Sequence, residues 1–243
     1  VWNKVDALPL FSSTLANCVE KGLDYVSGGA KYQDQQFMCV GFPNIVDSLL
    51  SIQKLCFEDQ VCTFPELLDA VRNNWVNAEH LRTLALKTPG WGDGSAESCA
   101  MGRRFNDDLF GLLEELSKGE KGRVHLGHLT YTEIRWWGEQ TLATPDGRRS
   151  GDYFSQGLTP SRLKKIPYVT SVINSLARLD ASCMAGNNVV NVILPSNKIT
   201  LDRCEAFLRS VASSAVMSLQ LNCVTKAQLL DAQKHPEKYP DLI

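Results

Sequence analysis

Leu221-Asn222-Cys223-Val224-Thr225-Lys226-Ala227-Gln228-Leu229-Leu230-Asp231-Ala232-Gln233, followed by His235-Pro236-Glu237-Lys238-Tyr239-Pro240, reads as a strand, a capped helix and a hard stop. Thr225 and Gln228 form a capping box, in which each side chain takes a backbone N–H at the helix start. Val224 and Leu229 flank it as a hydrophobic staple. His235 precedes Pro236 and so avoids the α region, which ends the helix. Just upstream, Val189-Val190-Asn191-Val192-Ile193-Leu194 is almost continuously apolar, as in a strand covered on both faces. Between the two strands Thr200 caps a helix with the stripe Leu201, Cys204, Phe207, Leu208, Val211, Ala212 and Ala215. Strand, helix, strand, helix predicts parallel strands joined by a right-handed crossover, hence an α/β fold.

The first half is predicted to be mostly helical. One apolar stripe (Phe11, Leu15, Cys18, Val19, Leu23) predicts a helix over 5–22, stopped at Gly22. A second helix is expected after Pro43, capped by Asn44, with Ile45, Leu49, Ile52 and Cys56 on its apolar face. Thr63-Phe64-Pro65-Glu66 is another capping box, stapled by Cys62 and Leu67, and its helix should end near Val71. Further helices are expected over 78–86 and 101–116, the latter carrying Phe105, Leu109, Leu112, Leu113 and Leu116. Gly119 and Gly122 close that region. Beyond it, 124–132 is strand-like, 143–165 is irregular, and 169–176 fits strand or helix equally.

Composition narrows the function. The 243 residues, 44% of them apolar, suffice to bury a core in one large domain or two small ones. Lys+Arg at 25 against Asp+Glu at 27 leaves no electrostatic footprint for a nucleic acid or an anionic membrane. No apolar run approaches the roughly 20 residues of a membrane helix. The eight cysteines form no C-x-x-C pair and are read as small buried hydrophobes of a reducing cytoplasm. The start at Val1, inside patterned sequence, is read as that of a fragment or processed piece. His125 and His128 lack acidic or thiol partners nearby, so no metal site is assigned. Trp136-Trp137 is read as core packing.

Thr144-Pro145-Asp146-Gly147-Arg148-Arg149 is a β-turn by composition: Pro sets φ, Asp folds onto nearby backbone, and Gly follows. Its adjacent arginines are rigid forks able to clamp a carboxylate or a neighbouring loop. On residue chemistry alone an ordinary surface turn is the simpler reading.

A resemblance sharpens this. The run from Ala143 to Gly151, with Gly157-Leu158-Thr159-Pro160, is similar to the ATPDGRRxGxxxxxGxxP stretch of glycyl radical enzymes, the pyruvate formate-lyase family. Cys18 to Asp24, Gly28 to Tyr32 and Asn44 to Leu49 resemble a second signature of that family, and Asn222 to Pro236 a third. The resemblance implies part of a ten-stranded α/β barrel, one partial domain over 1–243, helical over 1–122 and alternating strand and helix over 123–243. It implies anaerobic radical cleavage of a C–C or C–heteroatom bond in a small polar substrate, by acyl transfer or dehydration. An activating enzyme with an iron–sulfur cluster and S-adenosylmethionine installs the radical in such proteins, and dimers are frequent. The family's radical glycine follows the position of Tyr239 to Ile243, and its thiyl cysteine precedes the Gly28-Gly29 loop. Both roles therefore fall outside 1–243; no catalytic residue is assigned and the segment alone is expected to be inactive. Tyr131, leading into the 144–149 loop, is the candidate substrate contact; Thr144, Pro145, Asp146, Gly147 and Arg148 are the family-motif loop. The rival expectation is a non-catalytic piece that completes another polypeptide through exposed strand edges.

Overall fold

Every strand pairing is parallel in the computed structural model, which describes residues 7–118, 122–130, 132–194, 199–214 and 216–239. Strand β1 (Gln35–Met38) runs beside β2 (Val124–Gly127), and β3 (Val189–Ile193) beside β4 (Ser218–Asn222). A parallel bridge between His128 and Asn188 carries the pairing from β2 to β3, so the four strands follow one another in chain order. The crossover between β3 and β4 is the helical one expected. β1 was not expected: Gln35-Gln36-Phe37-Met38 has no β-branched residue, and pairing with β2 makes the strand.

Helices fill the connections. The single helix expected over 5–22 is two short turns among its described residues, α1 (Pro9–Ser12) and α2 (Cys18–Lys21), broken at Asn17 with φ +74°. Gly22 does end α2, in the left-handed conformation. α3 (Phe42–Ile52) begins before Asn44, behind Gly41 at φ +83°, so Asn44 lies inside the helix and does not cap it. Its buried apolar row is Phe42, Val46 and Leu50; Leu49 of the expected face is exposed. Both rows have helical spacing, and the packing partners choose between them. A π-helical turn (Gln53–Glu58) extends α3.

α4 (Phe64–Arg72) has the capping box intact: Thr63 N donates to Glu66 Oε2 at 2.7 Å and Thr63 Oγ1 accepts from Glu66 N. α5 (Glu79–Lys87) matches its expected range within one residue. α6 (Ala96–Leu116) starts five residues earlier than expected, because Ser95 caps it and Asp93 ties Ser95 and Ser98 together. Leu113 is its buried leucine, whereas Leu112 and Leu116 are exposed. α7 (Glu133–Gln140) occupies a stretch for which no helix was expected, and it holds Trp136 and Trp137 exposed against each other rather than in the core. α8 (Val169–Leu176) resolves the ambiguous stretch as helix. α9 (Leu201–Ala212) and α10 (Lys226–Lys234) begin at the Thr200 cap and the Thr225 capping box. Residues 143–165 are irregular throughout. Gly119 and Ala215 lie outside the described residues.

The main core lies between the strands and α3, α6 and α8. It joins Phe42, Val46, Leu50, Trp91, Leu126, Leu158, Leu176 and Val190. A smaller core packs Leu55 of the π turn with Leu67 and Val71 of α4, Trp75, Leu81, Ala85 and Ala143. All eight cysteines are free, but only Cys18, Cys39 and Cys99 are buried, and Cys223 is exposed. Among the described residues no helix is long and apolar enough to cross a membrane.

Candidate functional site

The motif loop folds as its composition dictates. Gly147 N donates to Thr144 O at 3.1 Å and Thr144 N to Arg148 O at 3.1 Å, closing the turn. Asp146 Oδ1 accepts from Thr144 Oγ1 and from Arg148 N. Gly147 sits at φ +93°, and a Cβ there would come within 2.8 Å of Leu86. Pro145 sets the second position, half-buried.

Arg148 is 0% exposed, so this is no surface turn. Its guanidinium turns inward: Nε donates to Thr144 Oγ1, Nη1 to Gly138 O and Asp152 O, and Nη2 to Thr141 O and Leu142 O. The ring of Phe154 lies 4.4 Å beneath it. With its five donors engaged by neighbouring loops, Arg148 has none left for a carboxylate ligand. Of the two roles open to the fork, the structure gives it the neighbouring loop.

Other elements grip the same loop. Trp75 Nε1 donates to Arg148 O at 3.2 Å, and Arg82 Nε to Gly147 O at 2.8 Å. Asn44 Nδ2 donates to Asp146 Oδ2 at 2.7 Å, its Oδ1 accepts from Ser155 N at 2.8 Å, and Ser48 Oγ accepts from Asp146 N. One turn along α3, Asp47 accepts from Trp91 N at 2.6 Å. Trp91 Nε1 in turn donates to Leu158 O at 2.8 Å. Lys164 closes this side by donating to Thr88 O, Thr88 Oγ1 and Pro89 O. Burial pushes the Asp47 carboxyl up to about 7, against the pull of Lys164 and the Trp91 N–H. The Lys164 ammonium is lowered, again by burial first. A cleft of about 550 Å³ opens beside this cluster, between residues 86–93 and 160–171.

These anchors fix a strap, residues 152–160, across the strand ends. Gly157 N donates to Thr130 Oγ1 at 2.8 Å, Leu158 N to Val189 O at 2.9 Å, and Asn191 N to Thr159 Oγ1 at 2.9 Å. Gly157 must be glycine: a Cβ would sit 2.4 Å from Val189 O and 2.7 Å from His128 O, at φ +53°. The strap delivers Gln156 to Asn191, whose Nδ2 donates to Gln156 Oε1. Asn191 Oδ1 is buried without a partner among the described residues.

Alternation sorts the strand side chains into two faces. Leu126, Val190, Val192, Leu219 and Leu221 point to the helical core. The opposite face carries Gln36 and Met38 beside Gly127, then Asn191 in register with Gln220, and Ile193 with Asn222. Its polar side chains are the amides of Gln36, Asn191, Gln220 and Asn222 together with His125 and Ser218, and the amides can donate to and accept from a neutral hydroxylated molecule. His125 and His128 have different environments: His125 pairs with Asp34 at 3.1 Å, while His128 is fully buried on Phe42 with Nε2 3.0 Å from Asn106 Oδ1. Burial holds the His128 imidazole down at about 3. Among the described residues no group of three or more His, Cys, Asp or Glu could hold a metal ion. Tyr131 lies outside the described residues. The sequence reading missed Asn44, Trp75, Thr130, Gln156 and Asn191. The Gly157-Leu158-Thr159-Pro160 run was the signal for the strap and the Asn44 to Leu49 signature the signal for Asn44, while Trp75, Thr130 and Asn191 carry no local signal.

Two family models match the chain: "Pyruvate formate lyase-like" over residues 1–138 and "Glycine radical" over 154–243. The motif loop falls between them. Trans-4-hydroxy-L-proline dehydratase of Clostridioides difficile is 28% identical over 97% of this chain and 30% of its own length. A solved structure titled for 1,2-propanediol dehydration in Roseburia inulinivorans superposes with a TM-score of 0.88, at 29% identity, over 99% of this chain and 32% of that one. The glycerol-bound B12-independent glycerol dehydratase of Clostridium butyricum gives 0.86, at 30% identity, over 98% and 31%. This chain thus spans about 30% of the curated relatives it matches. The expected fold, part of an α/β barrel with a helix-rich first half, is the fold of these neighbours.

Proposed function

Because the chain belongs to the pyruvate formate lyase-like family, we propose that it is the barrel-wall segment of a glycyl radical enzyme. The whole enzyme removes a heteroatom group from a small hydroxylated substrate in the absence of oxygen. Dehydration is preferred here to acyl transfer, and the observation that carries this is the set of amides on the strand face, with Asn191 and Gln156 held together on it. Neutral amides suit hydroxyl groups; a charged acyl substrate calls for a cation, and the guanidinium of Arg148 is consumed inside the fold.

A glycyl radical, installed by a separate S-adenosylmethionine-dependent iron–sulfur activating enzyme, supplies the hydrogen-abstracting centre. The strand face fits such a centre, since Cys39 packs into the helical core and leaves amides and a thioether on the other side. The residues of this chain bind and orient. Gln156 and Asn191 take the substrate hydroxyls, and the strap closes water out at the ends of β2 and β3. The motif loop is a positioning device: Arg148 holds Asp152 and Phe154, where the strap begins. Tyr131 remains a proposed substrate contact. The cytoplasm as its location, a homodimer as its assembly, and inactivity of residues 1–243 by themselves belong to the same proposal.

The test is anaerobic activation of the whole encoded protein, followed by electron paramagnetic resonance and assays on glycerol and 1,2-propanediol. A radical signal with carbonyl product from one of them is expected, and Asn191→Ala and Tyr131→Phe should each raise KM for it. A radical enzyme that turns over only acyl substrates overturns the dehydration reading. A second reading rests on α9 and α10, which bury no residue and leave Leu201, Leu208, Leu229 and Leu230 exposed. On that reading the chain completes another polypeptide without chemistry of its own. Stoichiometric co-purification with a second chain, without any radical signal, would favour it.

A further inference from the structure

Cys56 and Cys62 take no part in the strand face, the strap or the motif hub. Cys56 lies in the π-helical turn that ends α3; Cys62 immediately precedes Thr63, the cap of α4. The intervening chain doubles back. Asp59 N donates to Lys54 O at 2.8 Å, Val61 N to Leu55 O at 2.8 Å, and Gln60 takes φ +48°. Lys54 reaches Glu58 and Asp59, both at 3.2 Å, and pins the turn. This reversal brings the two sulfurs to 3.9 Å. Both side chains are half-buried against the core of Leu55, Leu67 and Trp75.

We propose that Cys56 and Cys62 are a modification site: they form a reversible intramolecular disulfide when the protein meets a peroxide. A disulfide needs its sulfurs at about 2.05 Å, so from 3.9 Å they close by about 1.8 Å. The chemistry balances in two steps. One of the two sulfurs attacks a peroxide oxygen, the O–O bond breaks, and that cysteine becomes a sulfenic acid as water leaves. The other sulfur then attacks the oxidised sulfur, its proton and the hydroxyl leave as a second water, and the S–S bond forms. Two thiols are oxidised and one peroxide is reduced to two waters. A small dithiol reverses the product by exchange. Burial, and next the adjacent Cys62 sulfur, push the Cys56 thiol up to about 11, and either sulfur of the pair can attack first while the other resolves. The disulfide staples the corner between α3 and α4 beneath Trp75, whose indole holds the Arg148 carbonyl.

The test is treatment of the full chain with hydrogen peroxide, alkylation under denaturing conditions and peptide mass mapping. A Cys56–Cys62 cross-linked peptide lacking two hydrogens is expected, with loss of two alkylatable thiols and full return after dithiothreitol. Cys56→Ser and Cys62→Ser should each abolish the cross-link. The Cys56→Ala/Cys62→Ala double variant, checked for an unchanged circular dichroism spectrum, should keep its remaining thiols through the same treatment. Complete alkylation of both cysteines after peroxide overturns the proposal, as does a sulfinic acid at either cysteine with the other still free.

Discussion

Asn44 and Asp146, 102 residues apart, meet inside the protein: the Asn44 amide donates to the Asp146 carboxylate at 2.7 Å, and both side chains are buried. The same amide accepts from Ser155 N at 2.8 Å, so one side chain of α3 holds the motif loop and the strap together.

Asn44→Ala should therefore leave a buried carboxylate oxygen and a buried N–H unpaired. The expected loss is about 2–4 kcal/mol of unfolding free energy, read from urea denaturation. Asn44→Asp should cost more, because it sets a second carboxylate against Asp146. A loss below about 1 kcal/mol for Asn44→Ala would mean that water replaces the amide at both positions.

Arg148 and Arg149 are neighbours with opposite fates. Arg148→Lys offers one ammonium to carbonyls from Gly138, Thr141, Leu142 and Asp152 that a fork now satisfies. It should destabilise by about 3–5 kcal/mol. The half-buried Arg149, changed to Ala, should lose less than about 1 kcal/mol. Thermal unfolding of the pair of variants separates them, and equal shifts would remove Arg148 from the hub.

Asp47 and His128 give stability opposite slopes with pH. Asp47 titrates at about 7 in the fold against 3.8 ordinarily, so the folded state binds the extra proton between these values. Its contribution falls as pH rises through that window. His128 stays neutral in the fold down to about 3, against 6.5 ordinarily, so its contribution is lost as pH falls below 6.5. The groups acting on Asp47 besides Trp91 are Lys164, Asp146 and Asp93. Asp47→Asn should keep the bond from Trp91 N and remove the falling slope. Relative to the parent, its stability should gain on the order of a few kcal/mol between pH 5 and pH 8. A constant difference across that range, by urea midpoints, would show that Asp47 is ionised throughout.

Gly157→Ala should abolish soluble folded protein, since the added carbon meets the backbone carbonyls of Val189 at 2.4 Å and His128 at 2.7 Å. Gly151→Ala is the control. Its φ is +85°, but nothing stands within 4 Å of the new carbon, so it should cost only about 1 kcal/mol of backbone strain. Similar yields for the two variants would place the strap away from β3.

Elements with a local signature were legible before any coordinates. Thr63-Glu66 and Thr225-Gln228 announce helix starts because a capping box is built from residues three apart and needs no distant partner. The β3–α9–β4 unit was legible for a related reason: a buried parallel strand carries its apolarity in its own sequence. Strand β1 was not, since Gln35 to Met38 becomes a strand only where β2 offers its edge. The long motifs named a family, and their residues did not reveal their own tasks. Arg148 had the chemistry of a ligand clamp, and the Thr144 hydroxyl with the carbonyls of Gly138, Thr141, Leu142 and Asp152 used up every donor. The faces of α3 show the same division. Phe42-Val46-Leu50 and Ile45-Leu49-Ile52 both have helical spacing, and contact with Trp91, Leu126 and Leu158 turned the first inward. The amino-acid order thus set the caps and turns, whose hydrogen bonds close within a few residues, and the parallel unit, whose strands carry their apolarity in their own sequence. Burial, which face points inward, and the use of each charged side chain waited for tertiary contact, because those free energies depend on partners as much as 111 residues away.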